Sequence, residues 1–242
     1  MSRPRLVVHA HFYQPIRTDP FTGHVSPDPS AAPFRDWNER VTAECYRPNA
    51  EQGTLEHVSW NLGPTLTAYL ADAAPDVLAA FATSDRRGGG AAGGPGIAQS
   101  FHHSILPLAA VHDRRTEILW GLRDFEHRFG RAAKAMWLPE TAADLATLRI
   151  MSDAGVQATI LAPWQAEAHH LDNRQPYRVD VGGGRHITVL FYDADLSAAV
   201  SFEPAMTADA DRFARERIAP RLGGSLHDGR APMLVIASDG EL

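Results

Sequence analysis

Three carboxylates stand at the ends of apolar, strand-like runs. They are Glu140 after 135–138, Asp193 after 186–192 and Asp239 after 233–237. Pro139 disfavours helix at Leu138 and pushes it towards extended backbone, so Glu140 is expected at the mouth of a strand. Trp137, three residues earlier, offers an apolar wall that could raise the pKa of a nearby carboxyl or stack on a sugar ring. Taken alone, Trp137 and Glu140 also fit a core tryptophan followed by an acid at a helix N-terminus. Two carboxyl groups facing each other across a cleft are what glycosidic bond cleavage uses, one as nucleophile and the other as proton donor. Three acids at strand ends, beside a tryptophan and paired histidines, favour that chemistry.

His9 and His11, at i and i+2, point to the same side of a strand. With His102, His103, Asp193 and Asp239 they could form a zinc or iron site, since imidazole and carboxylate suit both ions. Otherwise they hydrogen-bond substrate hydroxyls or the acids. The tight His-x-x-x-His spacing of a zinc-binding helix is missing, so no residue is assigned to a metal and no cofactor is expected. His169 and His170 fall in a polar loop and read as solvated surface.

The elements that must bring these residues together alternate between two periodicities. Strand candidates are 5–10, 97–101, 135–138, 157–161, 186–192 and 233–237. Between them, helical patterns cover most of 55–80, then 116–128 with Ile118, Leu119, Leu122 and Phe125 turned inward, 142–154, and 208–217. Strands separated by helices in this rhythm predict an α/β fold with a parallel sheet, open or closed into a barrel. In a parallel barrel the C-terminal strand ends converge on one face, so distant residues become neighbours. The long polar segment 14–33, with its five prolines, is expected to be a functional loop, and 33–40 a loop folded back over a cleft. The glycine-rich 84–96 lacks the context of a phosphate loop and reads as a flexible surface connection.

Composition sets the outer limits. The chain has 242 residues, 44% hydrophobic and 21% charged, which is ordinary for a protein with a sizeable core. A formal charge of -6 argues against nucleic acid as a partner and says nothing against a neutral sugar. A single cysteine, Cys45, permits neither an intrachain disulfide nor a thiolate metal site, which fits a reducing compartment. No apolar run is long enough for a membrane helix or a signal-peptide core, so a cytoplasmic protein without membrane partners is expected.

Four segments in order carry a resemblance to glycoside hydrolase family 57. They are His9-Ala10-His11-Phe12-Tyr13-Gln14-Pro15, Trp137-Leu138-Pro139-Glu140, 191–197 (Phe-Tyr-Asp-Ala-Asp-Leu-Ser) and Ser238-Asp239-Gly240-Glu241. The likeness is greatest to the branch that carries an additional C-terminal domain of unknown function. It implies that 1–242 is one catalytic barrel, an incomplete, seven-stranded (β/α) barrel truncated at its C-terminus, with no required metal. It further implies a retaining α-glycosidase or α-glucan transglycosidase of amylase, glucanotransferase or branching type. By resemblance Glu140 is the nucleophile and Asp193 the acid/base, with Asp195 as its competitor. His9, His11, Gln14, His103, Trp137, Trp164 and Asp239 become binding or supporting residues for an oligosaccharide or α-glucan. Two departures bear on the pocket: Phe12-Tyr13 intervene between His11 and Gln14, and the second motif is represented only by 99–107. The alternatives left open are a metal-dependent carbohydrate deacetylase and an inactive sugar-binding protein.

Overall fold

The computed structural model describes residues 3–89, 93–168 and 170–241; His169 and part of the glycine-rich segment lie outside the described residues. Its strands are β1 (Arg5–Phe12), β2 (Ser59–Leu62), β3 (Gly96–Gln99), β4 (Met136–Trp137), β5 (Ala158–Leu161), β6 (Tyr177–Gly182), β7 (Arg185–Phe191) and β8 (Met233–Asp239). One five-stranded sheet has the order β4-β3-β2-β1-β8, and a three-stranded sheet has the order β5-β7-β6. All pairings are parallel except that of β6 with β7, which form a hairpin. Five parallel strands of the first sheet and two of the second thus supply the seven that the resemblance implies. On one flank the two sheets meet at the Ala135–Ala158 bridge, where Gln157 N–H donates to Lys134 O and Thr159 Oγ1 to Met136 O, each at 2.8 Å. On the other, the Asp193 N–H donates to Val235 O at 2.7 Å. These sparsely bonded seams leave a curled, incomplete α/β barrel with helices outside.

Register explains the layering. In parallel strands, residues paired across the sheet share a face. His11 pairs with both Asn61 and Asp239, and His9 with Ser59 and Ala237, so these side chains point into the barrel. Beneath them Val7, Ile97, Ile160, Leu190 and Val235 form an apolar floor. The alternate residues, including Phe12, Trp60, Leu62, Ala98, Met136 and Phe191, face the main hydrophobic core outside the strands. Helix Val111–Phe129 packs closely on β3 because Gly121 has no side chain: a Cβ there would lie 1.9 Å from Gln99 O.

All six predicted strands are present, with shifted boundaries, and other segments differ. β2 was expected to be part of a helical stretch, and the real helices are Pro64–Ala73 and Pro75–Arg87. The antiparallel β6 was not anticipated. Residues 37–51, read as a loop over 37–40, form helical turns begun by Asp36, whose carboxylate accepts from the Asn38 and Glu39 N–H groups. The segment opening at Ser84 starts inside a helix, and its Asp85 is buried, accepting both Arg131 Nε and Nη2 at 2.7 Å. Among the described residues no helix is long and apolar enough to cross a membrane.

Candidate functional site

The C-terminal face of the barrel holds a cleft of about 350 Å³ whose lining includes His11, Trp137, Glu140, Trp164, Tyr192 and Asp239. Glu140 reaches it from a single tight turn, Pro139–Thr141, directly after β4. Pro139 ends the strand, having no N–H for the ladder. Glu140 and Thr141 then adopt φ of 55° and 52°, the left-handed region that costs a non-glycine residue ~1–3 kcal/mol and is rarer still for β-branched threonine. The conformation is held by Thr141 N–H to Leu138 O at 2.9 Å, Ala142 N–H to Pro139 O at 3.0 Å and Gln165 Nε2 to Thr141 O at 2.6 Å. Stored strain of this kind turns the Glu140 carboxylate out of the strand axis towards solvent in the cleft.

Asp239 reaches the same cleft from the last residue of β8. Its pKa is raised, first by burial and second by the negative charge of Glu140. The following turn is anchored from several sides. Gly240 N–H donates to His11 O at 2.8 Å, and a Cβ at Gly240 would lie 2.2 Å from the Phe12 ring. Glu241 Oε1 accepts the Tyr13 N–H at 2.9 Å and the Tyr46 hydroxyl at 2.6 Å. Burial pushes the Glu241 carboxyl up to about 7.

A stack of rings forms the wall between the two acids and the first loop. Trp137 lies 4.9 Å from His9 and 5.1 Å from His11, His11 lies 5.2 Å from His103, and His103 lies 3.8 Å from Tyr13, all near-parallel. The indole N–H of Trp137 is buried and has no hydrogen-bond partner among the described residues. Trp164 is 71% exposed at the rim, edge-on to Tyr192 at 5.9 Å.

Several predicted site residues are elsewhere. The Asp193 carboxylate is not part of the cleft lining; it caps the helix Ala194–Phe202, accepting Leu196 N–H at 2.9 Å through Oδ1 and Arg221 Nε at 3.0 Å through Oδ2. Both oxygens are occupied, and the residue is 8% exposed. Asp195 points to solvent. His9 is fully buried, stacked on Trp137, and is not part of the cleft lining. Gln14 accepts from Arg17 Nη2 at 3.0 Å, outside the cleft lining. His102 turns away, pairing with Glu117 at 2.6 Å. Among the described residues no three His, Cys, Asp or Glu side chains converge in a geometry that could hold a metal ion.

The cap predicts a separable phenotype. Asp193→Ala should lower unfolding stability by about 1–3 kcal/mol through the lost cap and ion pair, measured by denaturant titration. Asp193→Asn, which still caps, should leave kcat/KM within about threefold. A folded but inactive Asn variant would restore Asp193 to the chemistry.

Sequence reasoning missed Asn61, which is fully buried in β2 and bonded to both barrel histidines, and the cleft residues Tyr192, Ser201 and Phe202. A polar residue alternating with Trp60 and Leu62 was the available signal for Asn61. Burial lowers His9 to about 4 and His11 to about 3, aided in His11 by the neighbouring His103. Both are therefore neutral imidazoles in the folded state at neutral pH. The unfolded chain takes up those protons near 6.5, so their contribution to stability is complete above that pH and declines as pH falls towards 4. Glu241 acts in the opposite sense, its raised pKa eroding stability as pH rises from about 4.5 to about 7. His9→Gln should accordingly reduce the slope of stability against pH between about 4.5 and 6 by about one proton, or ~1.4 kcal/mol per pH unit. Urea titrations across that range check it, and an unchanged slope would mean that His9 titrates normally.

The chain aligns over its whole length with the 4-alpha-glucanotransferase from Thermococcus litoralis, at 21% identity, TM-score 0.74 and 34% of that chain. It aligns over 98% with an exo-type maltose-forming amylase from Pyrococcus sp. ST04, at 15% identity, TM-score 0.75 and 42% of that chain. A more distant likeness, to an allantoinase, has TM-score 0.63 at 11% identity, covering 99% of this chain and 78% of that one. At such identities the likeness is one of fold, and the chain spans less than half the length of the first two proteins. No curated protein shows significant similarity to it. The profile of glycosyl hydrolase family 57 matches residues 97–242, which include the Glu140 turn, the cleft-facing Asp239 and the strands that carry them, and the chain belongs to that family.

Proposed function

We propose that residues 1–242 form part of the catalytic barrel of a retaining α-glycosidase or α-glucan transglycosidase, with Glu140 as nucleophile and Asp239 as acid/base. The carrying observation is that these two carboxylates share one cleft and that the charge of Glu140 helps raise the pKa of Asp239. A raised pKa keeps a carboxylic acid protonated until it has a leaving group to protonate. Glu140 attacks the anomeric carbon and forms a glycosyl ester while Asp239 delivers its proton to the departing glycosidic oxygen. Asp239, now ionised, takes a proton from water or a sugar hydroxyl, which displaces the ester and regenerates both groups. Trp137 and the exposed Trp164 supply apolar faces for sugar rings. The two enzymes it resembles in fold, a glucanotransferase and an amylase, support an α-glucan substrate. Assignment of the acid/base to Asp239 rather than Asp193 rests on the carboxylate that faces the cleft, in place of the one spent on a helix cap.

The test is covalent trapping. Incubation with a 5-fluoro-α-glucosyl fluoride followed by peptide mass spectrometry should place a glucosyl ester on Glu140. Labelling of a different residue, or product with inverted anomeric configuration, would reject the assignment.

A further inference from the structure

Asn61 sits at the centre of the polar tier, fully buried, and touches three side chains. Its Oδ1 is 3.1 Å from His9 Nε2, and its Nδ2 is 2.6 Å from Gln99 Oε1 and 2.9 Å from His11 Nδ1, nearer to that nitrogen than Oδ1 at 3.2 Å. We propose that Asn61 is a positioning residue that locks His9 and His11 as neutral imidazoles with the proton on Nε2, so that the cleft wall beside Glu140 carries no cation.

An amide fits this place for a simple reason. It offers an acceptor and two donors at once, whereas a carboxylate only accepts and an ammonium only donates. The Oδ1 atom accepts from His9 Nε2–H, while the two Nδ2 hydrogens go to His11 Nδ1 and Gln99 Oε1. His9 Nδ1, left as an acceptor, faces the Ser59 hydroxyl at 3.0 Å, nearer than the Pro95 carbonyl oxygen that the same hydroxyl reaches at 3.2 Å. With its Nδ1 lone pair engaged, His11 carries its proton on Nε2 and donates to His103 Nε2 at 3.1 Å. With the Asn61 amide in this orientation, the bonds run in one direction from Ser59 through His103. Both nitrogens of His11 are consumed inside the protein, so His11 meets the cleft with its ring, stacked beside Trp137, and not with a free donor. The burial that lowers both imidazoles acts in the same direction.

The consequence for catalysis rests on the glycosidase reading. A cation at His11 would stabilise both carboxylates and make Asp239 a weaker proton holder. Asn61→Asp tests this with an isosteric change that replaces the amide donors by acceptors and invites a second proton onto the His9–His11 pair. In nitrogen-15 NMR of the protein at neutral pH, His9 and His11 should each give the spectrum of a neutral Nε2–H imidazole. The Asp variant should show an imidazolium at one of them. Turnover should fall by about 10- to 100-fold, in kcat more than KM, less than the ~10⁴-fold of a wrong tautomer on a histidine that itself carries the proton. A wild-type His11 protonated on Nδ1, or a variant with both rings still neutral, overturns the proposal without reference to activity. Correct tautomers in a protein that turns over no α-glucan would sink the glycosidase reading and leave the tautomer assignment standing. The wild-type spectrum decides the matter even if the variant does not fold.

Discussion

Glu140→Gln should abolish α-glucan turnover, by on the order of 10⁴-fold or more, while leaving the unfolding midpoint nearly unchanged. The size follows from what is removed. The glutamine side chain is isosteric, keeps the turn's shape and still hydrogen-bonds, but its amide oxygen cannot form a stable glycosyl ester. The small structural effect follows from where the side chain sits, exposed and facing the cleft. The strain in the turn lies in backbone torsions that glutamate and glutamine share. A further consequence follows from the charge of Glu140 alone. Removing the charge at Glu140 withdraws one of the two causes that raise Asp239, so the pKa of Asp239 should fall in the variant. Carbon-13 NMR of labelled aspartate would register that shift. A variant that keeps substantial turnover would mean that another group attacks the sugar.

How much of this was legible in the sequence depended on which physical signal each residue leaves. The histidine pair at i, i+2 and the Trp137-Leu138-Pro139-Glu140 run were readable because strand alternation and the proline effect act locally. β2 was not, because inside a barrel the usual pattern inverts: polar Ser59 and Asn61 point inward while Trp60 and Leu62 face the helices. With Gly63-Pro64 just after, those four residues merged into the helical stretch that follows. The surroundings of Asp193 were hidden for a related reason. A carboxylate just before a helix serves either as an N-cap or as a catalytic group at a strand end, and the sequence around it is the same in both cases. The discriminating partner, Arg221, is distant in the chain and becomes visible only in three dimensions. Asp239 was expected at the site in a supporting part, since its coupling to Glu140 is a through-space effect with no local signature.

Asp239→Asn should reduce kcat for an unactivated α-glucan by about 10²–10⁴-fold, the range general acid–base catalysis supplies. The loss should be far smaller for a substrate whose leaving group needs no proton. An α-glucosyl fluoride still reacts with Glu140, so the glycosyl ester forms and then persists, because the base that activates water is gone. External azide, a nucleophile that needs no deprotonation, should discharge it and yield α-glucosyl azide with retained configuration. The pH profile provides the second half of the argument. In the wild type, kcat/KM should fall as pH rises through the raised pKa of Asp239, placing the alkaline limb above the ordinary carboxylate range. In Asp239→Asn that limb should vanish from the residual α-glucan activity. Neighbouring Glu241 gives a control, because its carboxyl is also raised, to about 7, by burial but is bonded to Tyr13 and Tyr46. Glu241→Gln keeps an oxygen to accept from both and should retain the alkaline limb. If instead the limb disappears with Glu241→Gln and survives Asp239→Asn, the proton belongs to Glu241 and the pairing of Glu140 with Asp239 is wrong.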